Sequence, residues 1–327
     1  MRSLRLLSLA LLSLPRAVPG QAPAPTAFVT TIGKDTFCLE QYVRRGNVID
    51  GTWVVLHPPG VYVHDYRITL DHDGQPTRYT MKYSTPGAPT PPDLDSLTVT
   101  YGRDSASLVF FRKDSTSTRR LAMREAFPLL GQSFVGVELA LVRLRRTHVD
   151  SAAITLHAPS EPDRPATSIP VRLFADSALV GAGIHVRVAA DGSILGLQAG
   201  PTELRRVGSL DMSALVDGFV KVFAPRVAAL AAAAASRKEI SVPTAQLDRF
   251  VGSYSAGATT IVISRDGNHL MLQVAAQPAV PLLAMSATEF FVRKPDLVVS
   301  FESDATGRVT GLMIGQGETK QRLVRRN

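Results

Sequence analysis

The amino-acid sequence predicts a mainly β protein. It reads as an N-terminal curved antiparallel sheet (a half-barrel) with a packed helix, then a helical connector, then a C-terminal eight-stranded up-and-down barrel. Three observations carry this. Apolar residues alternate over short runs rich in Val, Ile, Leu and Phe, each bounded by Gly, Pro, Asp or Asn, which is the pattern of half-buried strands. Asp-Gly pairs centre hairpin-like alternations at Asp73-Gly74, Asp191-Gly192 and Asp266-Gly267, and that dipeptide suits tight hairpin turns. Only two stretches change to a spacing of three and four residues. The expected organisation is a signal peptide over 1–20, a β-rich domain over 26–206, a connector over 209–240 and a barrel over 244–326.

Arg2 and Arg5 precede the apolar run Leu6 to Leu14, and small residues follow at Val18 and Gly20. A charged start, a short apolar centre and a small-residue cleavage site make a secretory signal peptide. The run is too short to span a bilayer, and no cysteine near the cleavage site offers a lipid anchor. The protein is therefore expected to be exported, periplasmic or extracellular, with no transmembrane span in the mature chain. Of the formal net charge of +8, Arg2, Arg5 and Arg16 belong to the leader, so the remainder carries +5. That excess is scattered, whereas nucleic-acid binding asks for a clustered basic face; no nucleic-acid partner is expected. The one cysteine, Cys38, excludes an intrachain disulfide, so stability must come from burial. It alternates with Phe37 and Leu39 and reads as a buried, inert thiol.

After a short proline-rich spacer, strands fit Thr36 to Val43, Val48 to His57 and Val61 to Leu70, and Asp73-Gly74 centres a hairpin over Tyr66 to Tyr83. The proline-rich run 86–93 cannot continue a central strand and reads as an exposed crossing. Ser96 to Tyr101, Ser107 to Arg112 and Arg119 to Met123 form the next meander. Ser133 then caps a helix whose Phe134, Val137, Leu141 and Leu144 share one face. Arg143, Arg145 and Arg146 suit its negative end. One amphipathic helix within a run of strands packs across a curved sheet, an architecture also used by periplasmic lipoprotein carriers. Strands resume at Ile169 to Phe174 and finish near Arg206. Asp211 caps a helical stretch with Leu215, Phe219 and Phe223 spaced by four; Pro225 interrupts it and Ala228 to Ala235 continue it. Asp217, Lys221 and Arg226 speak against a membrane span there. The stripe is expected to dock on one of the two β units.

In the last module, strands fit Phe250 to Ser255, Thr259 to Ser264, Leu270 to Ala275, Val280 to Ala284, Glu289 to Arg293, Leu297 to Ser303, Val309 to Gly315 and Lys320 to Val324. Eight strands suffice to close a barrel and remove its edges. The succession Leu247, Phe250, Gly252, Tyr254, Asp266-Gly267, Leu270, Phe290, Phe301, Gly307, Val309 and Gly311 resembles the lipocalin-like C-terminal domain appended to beta-lactamase-like serine peptidases. The resemblance covers residues 244–326 and implies a fold; in that family the catalytic serine lies in a separate domain.

No such chemistry is readable in the rest of the chain. A Ser-x-x-Lys tetrad, in which the amine helps deprotonate the serine, is absent; Thr31-Ile32-Gly33-Lys34 has threonine in its place. Gly131-Gln132-Ser133-Phe134-Val135 lacks the second glycine of a nucleophile elbow. His-Glu-x-x-His and paired Cys-x-x-Cys are absent, and Gly181-Ala182-Gly183 opens a strand instead of a helix. No catalytic residue, cofactor or metal is expected. One polar concentration remains, in His64, Asp65, Asp71, His72 and Asp73. In an extended strand Tyr62, His64, Tyr66 and Ile68 point to one face and Asp65 to the other, so His64 and Asp65 cannot share a metal without a bulge. The Tyr62, His64, Tyr66 face either packs on the helix beginning at Phe134 or lines a cavity for an apolar ligand with a polar handle. The expected function is an exported, non-catalytic binding or accessory protein holding a small apolar ligand, lipid or peptide in a β cavity. An envelope module docking on another protein is the alternative, and a serine-hydrolase-related enzyme the second.

Overall fold

Two sheets hold the strands of the computed structural model, which describes residues 23–57, 60–87, 94–129, 131, 133–161, 165–257, 259–274, 279–293, 297–316 and 319–326. The leader expected over 1–20, residues 88–93 of the proline-rich crossing and residues 162–164 lie outside them. The first sheet opens with β1 (Thr26–Ile32), β2 (Asp35–Arg45), β3 (Val48–His57) and β4 (Gly60–Leu70). The meander continues through β5 (Pro76–Ser84), β6 (Leu94–Tyr101), β7 (Ser105–Arg112) and β8 (Ser115–Ala122). A short β9 (Ala126–Pro128), helix α1 (Val135–Arg146) and β10 (Ser151–His157) follow, with β9 and β10 parallel. Then come β11 (Thr167–Leu173), β12 (Ser177–Val180), β13 (Ile184–Val188), β14 (Ile194–Ala199) and β15 (Thr202–Val207). Because β15 pairs with β1, the order is a continuous fifteen-stranded series with β8 and β9 at its two ends. The sheet curls far enough that β9 meets β5, where the Gln75 amide donates to the Ala126 carbonyl at 3.0 Å.

Helix α1 fills the curl. Val135, Leu139, Leu141 and Leu144 are buried together with Phe28, Ile68, Leu97 and Phe127. Two glycines make this close approach feasible. A Cβ on Gly136 would overlap the Pro128 carbonyl, and one on Gly192, at φ +91° in the β13–β14 turn, would lie 2.7 Å from the Leu141 carbonyl. Ser133 does not cap the helix as expected. Phe134 is the N-cap, and the carboxylate of Glu40 on β2 takes the Phe134 N–H at 3.0 Å and the Ser133 hydroxyl as well. A buried carboxyl group from a distant strand thus meets the positive end of the helix, and the local serine becomes its donor.

The connector is helix α2 (Met212–Ser236), with the Asp211 carboxylate accepting the Ala214 N–H at 3.0 Å. Pro225 lies inside it without interrupting it, contrary to the sequence expectation. Pro225 and Lys221 both face solvent, so water can take the Lys221 carbonyl that proline leaves without a donor. Leu215, Phe219 and Phe223 lie on Leu39, Val54, Leu56 and Val61 on the outer face of β2 to β4. By length and composition alone α2 is apolar enough to cross a membrane; in the fold its stripe is laid on the sheet.

The second sheet is closed. A four-residue α3 (Thr244–Leu247) and a 3-10 turn over Asp248–Phe250 lead into β16 (Gly252–Ala256), β17 (Thr259–Asp266), β18 (His269–Val274) and β19 (Val280–Ala284). β20 (Glu289–Val292), β21 (Leu297–Ser303), β22 (Val309–Gln316) and β23 (Thr319–Arg326) complete the set, and β23 pairs with β16. The eight strands are those the alternation predicts, with one shift at the start. Phe250 ends the 3-10 turn and drops its ring into the barrel, stacked on Phe301 at 4.3 Å with Phe290 edge-on to both. Tyr254 seals that end by donating to the Phe250 carbonyl at 2.7 Å. These rings, with Ile261, Ile263, Leu270, Leu272 and Val299, occupy the interior.

Candidate ligand site on the curled sheet

On the concave face of the first sheet, Glu40, Trp53, His64 and Tyr83 form one cross-strand row over β2, β3, β4 and β5. Directly opposed side chains in such a row touch. The His64 ring stacks on Trp53 at 4.4 Å and meets the edge of Tyr83 at 5.0 Å. Its Nδ1 is buried with no hydrogen-bond partner among the described residues, and burial pulls the imidazole pKa down to about 4 despite the opposing charge of Asp65. His64 is therefore neutral at physiological pH. Trp53 is held from two sides. Its indole N–H donates to the Cys38 sulfur at 2.7 Å, and Gly131, at φ +52°, lies so close to the ring that a Cβ there would sit 2.9 Å from it. Cys38 itself is buried, and burial and the nearby Glu40 push its thiol well above the usual range, so it is not an activated nucleophile.

The three residues singled out from sequence part company here. Tyr62, opposite Val55, and His64 are half-buried on the concave face. Tyr66 is spent on the core: it is 4% exposed and donates its hydroxyl to Glu40 at 2.8 Å. Asp65 points the other way and accepts from the Thr52 hydroxyl at 2.7 Å, as the pleat requires. Asp71, His72 and Asp73 bring their ligand atoms within 4.8 Å of one another in the β4–β5 turn. Asp71 Oδ1 is already engaged by the N–H groups of Asp73 and Gln75, and the other two side chains are exposed, as an Asx turn produces without any ion.

Sequence reasoning missed the two buried carboxylates that set this interior. Glu40 is 2% exposed and Glu138 4%. Glu138, in the first turn of α1, accepts from the Tyr42 hydroxyl, from the Ile194 N–H at 2.7 Å and from Arg206 at 3.1 Å. Burial raises the pKa of both carboxyls, and their donors oppose the rise. The donors lie from 26 to 96 residues away in sequence, which is why no motif announced them. The available signal was a carboxylate at an inward position between Cys38 and Tyr42. The Ser133 hydroxyl donates a hydrogen bond to Glu40, and among the described residues no imidazole bonds its oxygen, so the arrangement is a helix anchor and not a nucleophile–base pair. The row beyond it offers two aromatic walls and one neutral imidazole.

Residues 236–323 match the family described as "Domain of unknown function (DUF3471)", a segment that takes in the barrel up to β23. No curated protein matches. Among solved structures, the chain is similar to a DUF1089 family protein from Pseudomonas aeruginosa. The two are 13% identical, with 51% of this chain and 91% of that chain covered, at a TM-score of 0.38. It is also similar to a beta-barrel-like protein of the domain of unknown function DUF1849 from Brucella abortus, at 11% identity, 57% and 94% coverage and a TM-score of 0.37.

Proposed function

We propose that the protein is an exported, non-catalytic binding or accessory protein whose curled sheet holds a small apolar molecule bearing one polar group at Trp53, His64 and Tyr83. The observation that carries this reading is the His64 Nδ1, buried beside two aromatic rings with no partner among the described residues. A buried polar atom left unmatched costs about 1–3 kcal/mol, and a ligand hydroxyl or carbonyl placed beside the imidazole would remove that cost. The flanking rings supply the apolar contact such ligands need, and Tyr62 adds a further ring on the same face. The likeness of residues 244–326 to a non-catalytic lipocalin-like domain is in keeping with an accessory role.

Trp53 is the sole tryptophan of the chain, so its emission reports on this row directly. Titration with a medium-chain monoacylglycerol and with a lipid extract of the host should give a saturable change in emission. His64→Leu should weaken that binding at least fivefold. An emission unaltered by either addition, or equal affinity in the variant, would contradict the reading.

A further inference from the structure

A cavity of about 310 Å³ opens at the other end of β5 and β6 from Tyr83, where Thr77 and Tyr101 lie. Its volume is at the small end of ligand pockets. Around it stand Asp71, Gln75, Tyr101, Arg103, Arg124 and Glu125, over a floor that includes Met123 and Ala126. Two polar atoms of its lining residues are buried without a partner among the described residues. One is the Tyr101 hydroxyl, a donor; the other is Gln75 Oε1, an acceptor whose orientation is fixed because the same amide gives its N–H to Ala126. Buried polar atoms are matched in folded proteins with few exceptions, and here a donor and an acceptor belong to two residues that line one recess.

The charges on the rim are not equivalent. Glu125 is engaged by Arg143 at 3.3 Å, and Asp71 is occupied by the N–H groups of Asp73 and Gln75. Arg103 and Arg124 are exposed and have no ion pair among the described residues. Glu125 itself adopts φ +48°, a conformation uncommon for a residue with a side chain; it turns the corner between β8 and β9 with Arg124 at the cavity. Two uncommitted guanidiniums, one phenolic donor and one amide acceptor define a ligand that is anionic at one point and carries an N–H beside it. Guanidinium pairs favour the two oxygens of a carboxylate.

We propose that this cavity is a second binding site, for a small carboxylate with an adjacent amide N–H, as in an N-acyl amino acid or the C-terminal end of a peptide. Arg103 and Arg124 take the carboxylate, Gln75 Oε1 accepts the N–H, and the Tyr101 hydroxyl donates to a ligand oxygen. The site is independent of the aromatic row at His64.

N-acetylalanine, acetate and N-methylacetamide are the probes, and the ε-methyl NMR signal of Met123, on the cavity floor, is the readout in the full chain. N-acetylalanine should shift that signal saturably while Trp53 emission stays unchanged. Acetate and N-methylacetamide, each carrying half of the recognised group, should bind at least tenfold more weakly. Tyr101→Phe should weaken N-acetylalanine about fivefold, and Arg103→Ala with Arg124→Ala at least tenfold, with thermal unfolding of the variants as the check on folding. Dipeptides and N-acyl amino acids tested in parallel distinguish the two sources of the same chemistry. Acetate binding as tightly as N-acetylalanine, no shift with any probe, or variants that bind like the wild type would each overturn the assignment.

Discussion

Tyr66 crosses the face of Gly51 to place its hydroxyl 2.8 Å from Glu40. The two residues with rings or carboxyls depend on the one without a side chain, because a Cβ at Gly51 would lie 2.5 Å from the Tyr66 oxygen. Gly51→Ala is therefore expected to destabilise the protein by about 1–3 kcal/mol through overpacking. Tyr66→Phe is expected to cost about 1–3 kcal/mol by leaving Glu40 one donor short. Urea unfolding of the two single variants and the double variant tests the coupling. The double should cost clearly less than the sum, since both act on one contact; strict additivity would contradict it.

His64 controls a second observable. With its pKa at about 4 it stays neutral through the range where an exposed histidine titrates, and it stacks on the single tryptophan. A pH-linked change in Trp53 emission is expected with a midpoint near 4, absent in His64→Leu. A midpoint near 6.5 would place the imidazole in water.

Glu40 sets the sign of a pH effect on stability. Its folded pKa is raised, with burial the largest cause, so between the unfolded value and the folded one the native state holds more protons than the unfolded state. Its favourable contribution is complete below the unfolded pKa and is lost as pH rises through the folded one. The stability difference between Glu40→Gln and wild type should move in favour of the variant as pH rises from about 4.5. A difference that is flat with pH would show that the donors from Tyr66, Ser133 and Phe134 balance desolvation, and one that moves the other way that they outweigh it; either would contradict the expectation.

The barrel is held by its rings. Phe301 touches Phe250, Phe290 and Tyr254, so Phe301→Ala should cost about 3–5 kcal/mol, read as a lowered unfolding transition of the barrel by hydrogen exchange in the full chain. A cost below about 1 kcal/mol would indicate a loosely filled interior.

The barrel was legible because each of its strands alternates and each turn carries its own chemistry, as at Asp266-Gly267 between β17 and β18. The hairpins at Asp73-Gly74 and Asp191-Gly192 were legible for the same reason. β9, with three residues, is too short to show alternation, and its parallel partner β10 lies across α1, so neither could be read locally. Pro225 misled because propensity counts the lost N–H and not the solvent on that side of α2. Half of the candidate site was visible: Tyr62 and His64 share a face because the pleat has a period of two. That Tyr66, on the same face, belongs to Glu40 depends on a contact with a residue 26 positions earlier, which no local pattern encodes.

Native mass spectrometry of the full chain purified from its host asks whether the Trp53–His64–Tyr83 row holds a ligand. A discrete adduct on the polypeptide mass is expected, surviving gentle desolvation and reduced in His64→Leu. Bare polypeptide mass in repeated preparations, or an adduct indifferent to that substitution, would contradict it.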